Sequence, residues 1–169
     1  MRSLILLSFL ALSLALSSTR AAEPFTRHGV VLLQPSPVVE ARVPSVDAMA
    51  DYIKEVEAAV RHAVQASPAR QSVAGFLVVA VRPGRRSKAW LDFDTLVDLG
   101  LQRDIVARVQ AVKPFEAKDG PVVFAVKLAL WDAKPSKRQV PLPAEWRSAR
   151  GEGAPQEVEA LVERLWPAE

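Results

Sequence analysis

Residues Gly75–Arg82 read Gly-Phe-Leu-Val-Val-Ala-Val-Arg, and this run constrains the fold more than any other feature of the chain. A strand with one wet face alternates apolar and polar residues, whereas one apolar on both faces is expected at the centre of a sheet. Pro83-Gly84-Arg85-Arg86 then signals a turn, because proline presets one backbone angle and glycine accepts positive φ. Ser87–Phe93 returns as a second strand, with Ala89, Leu91 and Phe93 on one face and Lys88, Trp90 and Asp92 on the other. A third long strand is predicted over Val122–Trp131, after Asp119-Gly120-Pro121. It puts Val122, Phe124, Val126, Leu128 and Leu130 on one face and Val123, Ala125, Lys127, Ala129 and Trp131 on the other.

Helical periodicity surrounds these strands. Met49, Ile53, Val56, Val60 and Val64 recur at steps of four, three, four and four, one apolar stripe widened by Ala59 and Ala63. Ser45 is the expected N-cap, Asp47 lies in the first turn, and Ser67-Pro68 stops the helix. A second helix is predicted between Asp94 and Val112, with Asp94 as its N-cap and Leu101, Ile105, Val109 and Val112 on its stripe. A short final helix, Gln156–Trp166, carries Val158, Leu161, Val162 and Leu165 on one side; so short a helix is marginal in water and must dock. The order helix, strand, strand, helix, strand, helix implies an α+β fold: a small three-stranded antiparallel sheet with helices on one face, the third strand beside the first.

The flanks complete the organisation. Arg2, the apolar stretch Leu4–Leu16 and Thr19-Arg20-Ala21 have the layout of a cleavable export signal over residues 1–21. A helix from Ser3 to Ser18 spans about 24 Å, short of a hydrocarbon core of roughly 30 Å, so no stable membrane span is expected after cleavage. Cleavage removes Arg2 and Arg20 and no acid, leaving 20 basic against 19 acidic residues. A near-neutral mature chain speaks against nucleic-acid binding. The absence of cysteine excludes a disulfide framework and is consistent with a bacterial periplasm. Residues 22–44, punctuated by Pro24, Pro35, Pro37 and Pro44, read as an extended lead-in whose β-branched runs pair, if at all, at a sheet edge. The polar stretch 132–155 reads as a linker, and 45–131 as the domain proper.

Catalytic chemistry is not legible. The two histidines, His28 and His62, lack metal-ligand spacing. Asp92, Asp94 and Asp98 are read as structural acids, since a calcium loop would need a glycine and a terminal glutamate at set positions. No catalytic, cofactor or metal residue is assigned. Basic residues cluster at Arg82, Arg85, Arg86 and Lys88, and again at Lys134, Lys137 and Arg138. Trp90 and Trp131 are expected on the sheet face away from the helices, as an aromatic surface open to a partner unless the final helix with Trp166 covers it.

The element order resembles the C-terminal domain of the TonB/TolA energy-transducer proteins over about residues 45–131. The residues that carry it are Tyr52-Ile53-Lys54-Glu55-Val56, the strand Gly75–Val81, the hairpin Arg82–Leu91 and Val112-Lys113-Pro114-Phe115. The resemblance implies a non-enzymatic periplasmic module that binds a protein partner of the cell envelope, by strand addition along the third strand or through the aromatic face. The candidate partner-binding residues are Val123, Ala125, Lys127, Ala129 and Trp131 along the third strand, with Trp90 on the aromatic face and Arg85 and Arg86 at the hairpin tip. A second expectation is an envelope carrier holding an apolar small molecule between sheet and final helix.

Overall fold

A computed structural model describes residues 21–150 and 157–167; the expected export signal lies almost wholly outside them. Its elements are β1 (Phe25–Leu32), α1 (Ser36–Arg42), α2 (Val46–Ala66), β2 (Val73–Arg82), β3 (Arg86–Phe93), α3 (Leu99–Ala111), β4 (Val122–Leu130), α4 (Ala144–Arg150) and α5 (Val158–Leu165). The fold is α+β. Its antiparallel sheet has four strands in the order β1-β4-β2-β3.

The apolar run singled out above is central and wholly buried as β2. The expected neighbours also hold. β2 pairs β3 through the hairpin, Arg82 opposite Arg86, and pairs β4 on its other side. Gly84 (φ 80°) and Arg85 (φ 54°) take the positive angles that this tight connection requires.

The fourth strand comes from the lead-in. Phe25–Leu32 pairs antiparallel with β4 from Phe25 opposite Leu130 to Leu32 opposite Phe124, with His28 as an extra residue in the register. The remainder of the lead-in is not extended. Ser36–Arg42 is helical because Pro35 stands at the N-cap and Pro37 in the first turn, positions where a missing N–H costs nothing. Residues 22–44 therefore belong to the domain itself, Val39 and Val43 being buried in its main core.

Helices cover both faces of the sheet, not one. On the first face α2 buries Met49, Tyr52, Ile53, Val56, Val60, Ala63 and Val64, members of the predicted stripe with Tyr52 added. Ser45 Oγ accepts the Ala48 N–H as its cap. α3 adds Leu101, Ile105 and Val109. Each such aliphatic side chain, moved out of water, contributes roughly 1.5–3 kcal/mol. Asp98, not Asp94, caps α3, accepting the Leu101 N–H at 2.8 Å; the helix starts later because Asp94 is engaged elsewhere.

The second face carries its own core of Phe76, Val78, Ala80, Trp90, Val123, Ala125, Trp146, Leu161 and Val162. The segment read as a linker and the final helix build it together. α4 buries Trp146 to 1% exposure, and α5 buries Leu161 and Val162. Residues 132–143 are pinned beneath α4 by Arg138, which donates to Asp92 Oδ2 (2.6 Å), Asp92 O (2.8 Å) and Asp94 Oδ1 (2.9 Å). Ser136 Oγ donates to Asp94 and the Leu142 N–H to Asp92. Burial works against the Arg138 charge, but hydrogen bonds to Asp92 and Asp94 outweigh it and raise the guanidinium pKa. At the far end Arg42 grips Glu159 of α5 at 2.9 Å.

Candidate functional site

The edge expected to be open is closed. β4 is hydrogen-bonded to β2 on one side and β1 on the other, so Val122–Leu130 presents no free ladder. Val123, Ala125 and Ala129 are buried. Lys127 donates to the Arg138 carbonyl at 2.9 Å, and its Nζ lies 5.7 Å from the centre of the Phe76 ring.

The aromatic face is closed as well. Trp90 is 4% exposed and meets Trp146 edge-on at 5.5 Å between ring centroids. Trp131 is not on that face. Positive φ at Trp131 (50°) and Asp132 (57°) ends the strand and turns the chain, so the indole packs against the first core, with Arg70 5.1 Å from its ring centre. The space between sheet and last helix, expected to admit an apolar molecule, is taken by Trp146, Leu161 and Val162.

The hairpin-tip arginines divide. Arg85 approaches Glu116 at 3.6 Å, the same carboxylate that accepts the Gly84 N–H. Arg86 lines a hollow of about 480 Å³ with Arg82, Glu163, Pro121 and Pro167. Arg82 is buried, which lowers its pKa, and stacks 4.7 Å from the Trp166 ring centre. His28 sits in the β1 bulge. His62 Nδ1 accepts from Arg108 Nη1 at 2.8 Å, which places the proton of the neutral ring on Nε2. Among the described residues, no group of three His, Cys, Asp or Glu side chains could hold a metal ion.

Two sheet edges remain, β1 and β3. They differ. β1 carries a bulge and charged flanks, Arg27 pairing with Glu57 at 3.0 Å, devices that discourage a further strand. β3 runs in unbroken register with β2 from Arg86 to Phe93. In an antiparallel ladder the amides of one strand point alternately to its partner and away. Asp94 N–H donates to Ala74 O on β2, so the even-numbered amides face β2 and those of Ser87, Ala89, Leu91 and Phe93 face outward. Ala89 N–H confirms the direction, donating at 3.2 Å to a side chain, Gln110 Oε1.

This outward edge forms the floor of a groove of about 890 Å³, within the roughly 300–1,000 Å³ usual for ligand clefts. Lys88, Ala89, Trp90 and Leu91 make the floor. One wall is α3, with Arg103, Val106, Ala107 and Gln110; the other is α4 and the end of α5, with Ala144, Glu145 and Leu165. Lys88 spans floor and wall by donating to the Leu165 carbonyl at 2.9 Å. At one mouth Leu99 is 70% exposed, and Leu96 nearby in the β3–α3 loop is 95% exposed.

Of the expected site residues, only Trp90 lines this groove. Lys88, Ala89 and Leu91 belong to a strand whose outer edge was not expected to be open, and the helical lining was missed because it lies off the main stripes of α3, α4 and α5. One signal was available: Val106 flanks the α3 stripe, and Leu96 and Leu99 are apolar at the exposed start of a helix. Comparison with known proteins finds no matching family model, no matching curated protein and no matching solved structure.

Proposed function

We propose that this chain is an exported, non-enzymatic binding or assembly module of the bacterial cell envelope that takes an extended segment of a protein partner along the outer edge of β3. The kinship with TonB/TolA C-terminal domains remains part of this reading for the hairpin, α2, α3 and β4. The docking edge moves from the third strand of that unit to its second. Residues 1–21 direct export and are removed.

One observation carries the reading. Backbone N–H and C=O groups of Ser87, Ala89, Leu91 and Phe93 point away from β2, those of Ala89 and Leu91 into a groove with helices on both sides. Main-chain groups in that position are satisfied by an added strand, whose alternate side chains enter the two walls. Gln110 already occupies one of these sites, its side-chain carbonyl accepting the Ala89 N–H. Flanking walls also exclude the flat sheet-to-sheet contact that makes bare edges prone to aggregation.

The test uses a displayed library of random octapeptides panned on the full-length chain. Peptides recovered on the wild type are expected to shift the amide resonances of Ser87–Phe93 and to be lost from Ala107→Trp, which fills the groove from its α3 wall. Equal recovery on both proteins, or shifts confined to other strands, contradicts the proposal. Export is checked by mass spectrometry of the envelope fraction, where a chain beginning at Ala22 is expected and an intact Met1 is not.

A further inference from the structure

We infer that the segment accepted by the β3 groove carries opposite charges on adjacent residues, an acid turned to Arg103 and a base turned to Glu145, among otherwise uncharged positions. The inference rests on the strand-docking reading above.

An added strand lies about 4.8 Å outboard of β3, and its side chains alternate between the two faces of the sheet. Here those faces are two different walls. The α3 wall offers Val106 and Ala107 between Arg103 and Gln110; the opposite wall offers Ala144, Glu145 and Leu165. The α3 wall mixes Leu99, Val106 and Ala107 with the uncharged Gln102 and Gln110, the other wall is mostly apolar, and each carries one exposed charge, of opposite sign.

The two charges share one end of the groove. Leu142 N–H bonds Asp92 Oδ2, which sets the start of α4, and with it Glu145, beside the Asp92 end of β3. α3 begins directly after the loop that leaves β3, so Arg103 in its second turn stands at the same end. Gln110, three turns from the start, bonds Ala89 at the other end. Consecutive residues of a docked strand at the Leu91 end therefore face Arg103 and Glu145 in turn.

Neither charge is taken up by an ion pair among the described residues. Arg103 uses Nε on the Leu99 carbonyl at 3.2 Å, leaving the rest of its guanidinium to a ligand. Lys88, by contrast, is committed to the Leu165 carbonyl and to the Trp90 ring, 5.6 Å away. A second copy of this chain is a poorer occupant, because its own β3 is recessed between the same two walls.

The experiment pans the octapeptide library on the full-length chain, on Arg103→Glu, on Glu145→Lys and on the double variant. Both sites are exposed, and circular dichroism verifies folding. Wild type is expected to select peptides with an adjacent acid and base amid uncharged residues. Each single reversal is expected to weaken a selected peptide about fivefold, and a peptide with its two charges exchanged to prefer the double variant. Selected peptides that shift the β3 amides yet lack the charge pair, or that ignore both reversals, overturn the inference and leave strand docking standing. Peptides that never perturb Ser87–Phe93 remove both. A concentration-dependent dimer in light scattering, abolished by Ala107→Trp, assigns the groove to a second copy and overturns the inference.

Discussion

Trp146 stands edge-on against Trp90, ring centroids 5.5 Å apart and planes 77° to one another. This pair joins the segment after β4 to the sheet, and both rings are almost fully buried. Replacing Trp146 by Ala removes a large buried side chain and is expected to cost about 3–5 kcal/mol. The near-ultraviolet circular dichroism of the pair should disappear, while the far-ultraviolet signal of α2 and the sheet persists. Unchanged thermal stability would contradict this packing.

The clamp on residues 132–143 is expected to be unequal in its parts. Asp92 is buried and accepts from both Arg138 and the Leu142 N–H. Asp92→Ala leaves these donors without their acceptor, a loss of about 2 kcal/mol. Asp94 is exposed, so Asp94→Ala should cost under about 1 kcal/mol. Denaturant midpoints of the two variants give the comparison.

Gly75 has a steric duty. A Cβ at this position would stand 2.6 Å from Phe93 Cα and closer still to the Asp92 carbonyl oxygen. Both obstacles are backbone, so neither can rotate away. Gly75→Ala is expected to destabilise by about 1–3 kcal/mol and to loosen the β2–β3 pairing at its open end, read by amide exchange of Asp92 and Asp94. A neutral substitution would mean that the two strands lie further apart there.

Much of this architecture was legible before any coordinates. The α2 stripe, the Ser45 cap, the hairpin and the neighbours of β2 all follow from periodicity and turn chemistry, because each is a local pattern with a local cause. Two segments mislead for physical reasons. Prolines at 35 and 37 look like breakers but stand where a helix begins, so α1 was read as extended. The stretch 132–155 is polar along its length, and one residue, Trp146, reverses its meaning by burying itself on Trp90. With α4 unrecognised, one face of the sheet looked bare. The groove itself depends on which edge β1 takes, a long-range choice that no local pattern encodes.

Tyr52 supplies a pH prediction. It is the one tyrosine of the chain, buried edge-on to Phe115 at 5.7 Å, and burial raises its pKa. The unfolded chain releases the phenol proton near pH 10, while the folded chain holds it to higher pH. Above about pH 10 the unfolded state thus binds fewer protons, and stability falls as pH rises through the folded pKa. Tyr52→Phe should remove this alkaline component. Phenolate absorbance of the folded wild type, free of interference from other tyrosines, should titrate later than that of the denatured chain.

Native-state amide exchange, read residue by residue on the full-length chain without any partner, tests the open edge most directly. Lys88, Trp90 and Asp92 should be protected while Ser87 and Leu91 exchange rapidly, and the whole of Val122–Leu130 should be slow on account of its two neighbours. Alternating protection along Val122–Leu130, with uniform protection along Ser87–Phe93, would contradict the account.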